Sequence, residues 1–232
     1  MRVGVISDIH GNHYALEAVL RVAKKEGIEK LLVLGDIVGY YYHPEIVLNM
    51  LSEWDYEIIK GNHEVILQDL KENKINPEVL KEKYGRGHEY ALKNIDSETQ
   101  EWLFSLPMQK TIVIDAVSFQ LNHGSPLNID EYIYPDAPVS QLEKCNSIDH
   151  DFVLIGHSHY SFSFRCANSI LINPGSVGQS RQIGGKAFWC IINTENKCFQ
   201  SVSTDYNIEK LVIEIEEKDP EIKYLIEILK RN

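Results

Sequence analysis

Basic charge is the first thing this sequence is short of: 23 Lys and Arg stand against 34 Asp and Glu, a formal net charge of −11. Such a surface repels polyanions, which argues against extended nucleic acid as a partner while leaving room for one small phosphate in a metal-lined pocket. Long apolar runs are missing too. None approaches the roughly 18 residues that a membrane-spanning helix needs, so no membrane association is expected. The apolar stretch from Met1 to Ile6 meets Asp8 too soon for a secretory signal, and the expected compartment is the cytoplasm. Cysteine is sparse: Cys145, Cys166, Cys190 and Cys198 form no CxxC pair, and reduced, buried thiols are expected. No repeat, low-complexity tract or linker interrupts the chain. What remains is 232 residues, 44% apolar and 25% charged, enough to bury one core. A single domain over residues 1–232 is the economical reading.

The first sixty residues alternate between two periodicities. Arg2 to Ile6 is a β-branched run that fits a buried strand; Leu16, Val19, Leu20 and Ala23 then recur at helical spacing until Gly27. Leu31 to Leu34 is a second strand, Pro44 opens a helix to about residue 53, and Ile58 and Ile59 mark a third strand. Strands alternating with helices imply a parallel sheet, whose ligands bind at the carboxyl ends of the strands. Residues 65–107 read as a helical insertion beside the site: helices over 64–71, 77–92 and 97–106, the last opened by a Ser97/Gln100 capping box. Residues 111–114 and 118–122 form a hairpin. Short strands follow at 152–155, 162–165, 170–173, 188–192 and 199–202; the last four suggest a second, more antiparallel sheet. Residues 205–232 form a C-terminal extension with a helix over 220–230, and Leu211 to Ile215 fits either strand or helix.

Polar residues gather where these strands end. In order the chain presents Asp8-Ile9-His10, Gly35-Asp36, Gly61-Asn62-His63-Glu64, His123-Gly124 and Gly156-His157-Ser158-His159. Asp8, His10, Asp36, Asn62, His123, His157 and His159 all carry metal-binding heads, with His63 as a further group; one ion cannot use them all. Nitrogen and oxygen donors without thiolate favour Mn, Fe, Zn, Ni or Co, and the imidazoles disfavour a pure Mg or Ca site. A carboxylate in the middle of the set can bridge two ions roughly 3.5 to 4 Å apart, and Asp36 is assigned that role. Two such ions would bind the phosphate oxygens and activate a shared water as hydroxide, in line with phosphorus. The glycines beside Asp36, Asn62, His123 and His157 suit a backbone that turns sharply around ions.

These motifs resemble, in order and spacing, the signature of calcineurin-like metallophosphoesterases, and the likeness continues through Asn173-Pro174-Gly175-Ser176-Val177-Gly178. Gly35-Asp36-Ile37-Val38-Gly39-Tyr40 and His123-Gly124-Ser125-Pro126 look most like the small prokaryotic phosphoesterases of that superfamily. The resemblance implies a four-layer α/β/β/α sandwich of two mixed sheets flanked by helices. It implies two divalent transition metal ions, manganese first: one held by Asp8, His10, Asp36 and His159, the other by Asp36, Asn62, His123 and His157. It makes His63 the histidine that contacts the phosphate and gives its proton to the leaving oxygen, and Asn62 and Arg181 candidates for substrate contact. Protein Ser/Thr phosphatases carry arginines shortly after Gly-Asp and just before Gly-Asn-His-Glu, where this chain has Ile37-Val38-Gly39 and Lys60. The expected function is therefore hydrolysis of a small phosphodiester or nucleotide. A phosphoprotein phosphatase, a dinucleoside polyphosphate hydrolase and a catalytically silent scaffold are the alternatives.

Several residues have two readings. His13 faces solvent in a first helical turn or sits on the pocket rim. Tyr40 to His43 either stack on a base or pack where their helix begins. Arg181 is a surface residue or a phosphate ligand. Lys81, Lys83, Arg86 and His88 form a solvated helix face or guide anions to the site.

Overall fold

Two apolar faces on one short strand set the architecture. In β1 (Arg2–Ile6), Val3 and Val5 enter one apolar cluster and Ile6 another, because successive side chains leave a strand on opposite sides. The computed structural model describes residues 1–232. After β1 come α1 (His13–Lys25), β2 (Lys30–Val33), α2 (Pro44–Leu51) and β3 (Tyr56–Ile58). Four helices follow: α3 (Asn62–Lys71), α4 (Pro77–Tyr84), α5 (Gly87–Asn94) and α6 (Ser97–Ser105). The chain continues with β4 (Gln109–Ile114), β5 (Val117–Asn122), the single turn α7 (Val139–Leu142), β6 (Phe152–Leu154), β7 (Ser161–Arg165) and β8 (Ile170–Pro174). It ends with β9 (Lys186–Asn193), β10 (Cys198–Asp205), α8 (Glu209–Lys218) and α9 (Tyr224–Leu229).

The strands form two mixed five-stranded sheets, ordered β10-β9-β1-β2-β3 and β4-β5-β6-β8-β7. Between them lies a cluster built from Val3, Val5, Leu32 and Leu34 on one side and Phe119, Leu121, Phe152 and Leu154 on the other. The outer face of the first sheet is covered by α1 and its neighbours through Leu16, Val19, Leu31 and Val33. The outer face of the second sheet is covered more thinly, by α7 and the adjoining turn through Leu142 and Cys145. These are the four layers. No helix is long and apolar enough to cross a membrane.

Four local expectations are corrected. β9 and β10 belong to the first sheet, β9 running antiparallel to β1 with Val3 opposite Ile192. The reason is visible in β9: Cys190 and Ile192 face the inter-sheet cluster, Trp189 and Ile191 the helix-covered one, so this strand needs cover on both faces. The helix expected over 77–92 breaks into α4 and α5 at Gly85, whose φ is 72°, and the freed amide of Arg86 donates to the buried Asp219 carboxylate at 2.9 Å. Helix α6 is capped by Asp96, which accepts from the Thr99 amide, while Gln100 donates to the carbonyls of Leu92 and Ile95. Of the four free cysteines Cys198 is exposed, not buried.

Leu211 and Ile215 lie one helical turn apart on α8 and are buried with Leu225, Ile228 and Leu229 against Tyr40, Tyr41 and Tyr42, which settles that segment as helix. The C-terminal helices thus hold the loop that follows Asp36. Glu214 anchors them by accepting from Tyr14 at 2.6 Å and pairing with His43 at 2.7 Å. Burial pulls the Glu214 carboxyl up, but His43 and Tyr14 bring it down to about 2, and Glu214 in turn raises His43. The stabilisation from His43 is present below its unfolded pKa and fades as pH rises through its raised folded value. Glu214→Gln should therefore lower Tm by about 2–4 °C near pH 5.5, and by less at pH 9, in paired thermal melts; an equal loss at both pH values would remove His43 from the account.

Candidate metal centre

Five of the seven expected ligands occupy a backbone region that side chains rarely adopt: Asp8, His10, Asp36, His157 and His159 have φ between 52° and 62°. Such conformations cost free energy and cluster where a site demands them. All five lie just past the ends of β1, β2 and β6, where the strands stop and the chain must turn to bring side chains together. Gly61 and Gly156 allow the turns to close: a Cβ at either position would overlap a carboxylate oxygen, of Asp36 and Asp8 respectively.

The result is two overlapping buried groups. Asp8, His10, Asp36 and His159 form one and Asp36, His123 and His157 the other, with the donor atoms of each within 4.8 Å of one another. Asp36 belongs to both. Each carboxylate is fixed through one oxygen and aims the second inward. Asp36 Oδ1 accepts from the amide of His63 at 2.9 Å, leaving Oδ2 at 3.3 Å from His123 Nε2 and 3.7 Å from His10 Nε2. Asp8 Oδ2 accepts from the amide of His157 at 3.1 Å, leaving Oδ1 at 3.2 Å from His159 Nε2.

The imidazoles are oriented in the same manner. Nδ1 of His10, His123 and His159 donates to the carbonyls of Val38, Leu34 and Gln179 at 2.9, 2.7 and 2.7 Å. A carbonyl only accepts, so the proton of a neutral ring sits on Nδ1 and the Nε2 lone pair is turned into the cluster. His10 Nε2 and His159 Nε2 are then 3.1 Å apart, and His123 Nε2 is 3.0 Å from Oδ1 of Asn62. Two lone pairs that close repel each other unless a cation joins them. The buried Asp8 Oδ1 and His157 Nε2 have no hydrogen-bond partner, the nitrogen facing Asp8 being the lone-pair side of His159. These orphaned donors, gathered around a shared carboxylate, fit a pair of metal ions.

Electrostatics agree with that demand for positive charge. Burial raises the Asp8 carboxyl, but His159, His123 and His10 bring it below the usual range. Burial drives His10 well below its ordinary value, with His159 adding to the effect. Burial opposes a charge on His123 too, yet Asp36 pushes it up to about 10. A proton bound that tightly is the competitor that a metal ion must displace.

Glu64, to which sequence reasoning gave no task, holds the loop after Asp36 in place. Its carboxylate accepts the amides of Asp36, Ile37, Val38 and Gly61 at 2.7–3.1 Å. Burial and the nearby Asp36 push it up to about 7 against those amides.

Aromatic rings line the approach. Tyr132 lies on His157 with ring centroids 3.9 Å apart and near-parallel to Tyr134 at 5.8 Å. The Arg181 guanidinium sits 5.8 Å from the Tyr132 centroid with its buried Nε unpartnered. Sequence reading missed Tyr132: it lies in a loop without regular structure and reaches His157 only through folding. Tyr40 is 5% exposed and packs edge-on to His10, against His63 and Tyr84, so the loop from 40 to 43 is packing and not an open stacking face. His13 lies against Tyr14 and edge-on to His43. The basic stretch is a solvated face only in part: Lys83 is exposed, Lys81 and Arg86 are half-buried, and His88 is buried. Lys81 pairs with Glu221 at 2.9 Å, Lys83 lies over Tyr84, Arg86 neighbours Asp219, and His88 is buried beside His63.

Residues 1–197 match the family model of the calcineurin-like phosphoesterase superfamily domain, and the chain belongs to that family. It is a metal-dependent phosphoester hydrolase of a family that works with two metal ions. An uncharacterised protein of Methanocaldococcus jannaschii is 32% identical over 227 residues, 90% of this chain and 89% of that one. A hypothetical protein of Pyrococcus horikoshii superposes with a TM-score of 0.85 at 24% identity, over 99% of this chain and 98% of that one. A metallophosphoesterase of Sphaerobacter thermophilus does so with a TM-score of 0.80 at 25% identity, over the same shares.

Proposed function

We propose that this chain is a phosphodiesterase that hydrolyses a small phosphodiester or nucleotide with two divalent ions, manganese first, and with Fe, Zn, Ni or Co as substitutes. One observation carries the reading: the buried Asp36 stands in both donor groups, the arrangement a two-ion phosphoester centre needs. Asp8, His10, Asp36 and His159 would hold one ion and Asp36, Asn62, His123 and His157 the other; when bound they supply Lewis-acid charge at phosphorus and an activated water.

The remaining chemistry belongs to the chain. Arg181, pinned over Tyr132 with its Nε free, pairs with a nonbridging phosphate oxygen, and one guanidinium suits the single negative charge of a diester. The Tyr132 ring supports an aromatic substituent on the ester. Asn62 sets its carbonyl oxygen 3.0 Å from His123 Nε2, where it would share the second ion with that ring. His63 donates a hydrogen bond to the departing oxygen as the P–O bond breaks, and the proton that oxygen keeps is the one released by the attacking water.

The test is hydrolysis of a chromogenic diester beside its monoester, on chelator-stripped protein refilled with each metal singly. Diester turnover restored best by manganese is the expected result. A preference for the monoester would overturn the diesterase reading. Silence on both under every metal would overturn catalysis and leave a binding scaffold on this fold.

A further inference from the structure

His63 needs its ring held and its proton on the correct nitrogen, and the partner that does this comes from a helix far along the chain. His88 lies on α5 with 1% of its surface exposed. Its Nε2 is 3.1 Å from Nδ1 of His63, and the two rings are inclined by only 10°, with centroids 5.0 Å apart. Gly39 makes room for this arrangement: at its φ of 91° a Cβ would overlap Nδ1 of His63. Gly87, the neighbour of His88, lets α5 approach, since a Cβ there would meet the backbone of Tyr40. Tyr40 and Tyr84 pack around the His63 ring, with centroids at 5.0 and 4.8 Å, and confine its tilt.

Only one of two facing imidazole nitrogens can donate. Nδ1 of His88 is buried without a partner. If that nitrogen carried the proton, an N–H would be stranded in the interior, the rarer of the two possible defects. The proton of His88 therefore sits on Nε2 and is donated to Nδ1 of His63. His63 accepts there and carries its own proton on Nε2, the nitrogen left free for the ester.

We propose that His88 is a positioning residue for His63: by donating to Nδ1 it fixes the ring and places the His63 proton on Nε2, from which the neutral ring donates a hydrogen bond to the leaving oxygen as negative charge builds there. This rests on the phosphodiesterase reading for its kinetic part only. A basic leaving group such as an alkoxide needs that hydrogen bond as the P–O bond breaks, and leaves as the alcohol with the proton released by the attacking water; a nitrophenolate leaves without it. The role therefore shows as a dependence on the leaving group and not as a uniform loss.

The experiment compares His88→Ala and His88→Gln with the wild type across a series of diesters from 4-nitrophenyl to alkyl leaving groups, with metal content measured in each. His88→Ala should lose about 10²-fold in kcat on the alkyl esters, in the range of a misplaced hydrogen-bond donor to a developing oxyanion, and only a few-fold on the nitrophenyl ester. Added imidazole should restore part of the loss, and His88→Gln, which keeps a donor facing His63, should retain most of the activity. A loss equal for all leaving groups overturns the proposal. Independently of turnover, two-bond 15N–1H correlations in the metal-free protein should show His63 protonated on Nε2 in the wild type and a mixture of tautomers in His88→Ala. An unchanged His63 tautomer overturns the proposal, whereas a wild type inactive on every ester refutes the phosphodiesterase reading and leaves the tautomer result to decide on His88.

Discussion

Asp36→Asn should remove both the hydrolytic activity and the stabilisation that metal gives the fold. The side chain of Asp36 stands in both donor groups, so a neutral amide in its place weakens two sites at once. Even residues that merely support a metal ligand cost roughly 10–100-fold in affinity when replaced, and a shared carboxylate should cost more. Metal at a hundredfold excess over its Kd adds about 2.7 kcal/mol to the wild type. For a chain of this size that corresponds to a rise in Tm of about 5–10 °C. The variant keeps the Oδ1 acceptor for the His63 amide, so its metal-free melt should stay close to that of the wild type. Thermal unfolding with and without manganese, beside elemental analysis of the dialysed protein, measures both effects. A variant that still gains several degrees from metal would show that Asp36 is not shared between two ions.

The largest loss of stability should come from Glu64→Ala. Removing one carboxylate strands the amides of Asp36, Ile37, Val38 and Gly61 in a buried loop. Above pH 7, where Glu64 is ionised, a hydrogen bond to a charged group contributes about 1.5–3 kcal/mol, and partial relaxation of the loop reduces the sum, so a loss of about 4 kcal/mol is expected there. Chemical denaturation should report it as a lower midpoint at unchanged slope. Glu64→Gln should recover part of the loss, since its carbonyl oxygen can accept while its NH2 opposes the remaining donors. An alanine variant as stable as the wild type would mean that water replaces the carboxylate without cost.

The strand-end motifs were legible because each couples a local pattern to a fixed geometry. An apolar run predicts where β1, β2 and β6 stop, and Asp8, Asp36 and His157 follow within a few residues of the stop. Asn62 and His63 open α3 for the same reason. Partner choice is not written locally, which is why β9 and β10 fell to the wrong sheet: an apolar strand is compatible with either neighbour until the other strands are placed. His88 was hidden by its company, lying among Lys81, Lys83 and Arg86 on what reads as a basic helix. The available signal was the spacing of Tyr84, His88 and Ala91 with Gly87, a small and aromatic face on an otherwise charged segment. Glu64 stood within a motif that was read for its histidine, and its partners are backbone amides, which no side-chain pattern announces.

The left-handed turns at Asp8, His10, Asp36, His157 and His159 set the fold against its own chemistry. Each costs on the order of 1–3 kcal/mol of backbone strain, set against the few hydrogen bonds and ring contacts its side chain makes. Glycine at any of the five would relax the backbone and leave the sandwich intact. A population of variants kept only for thermal endurance would therefore lose this centre before it lost its sheets.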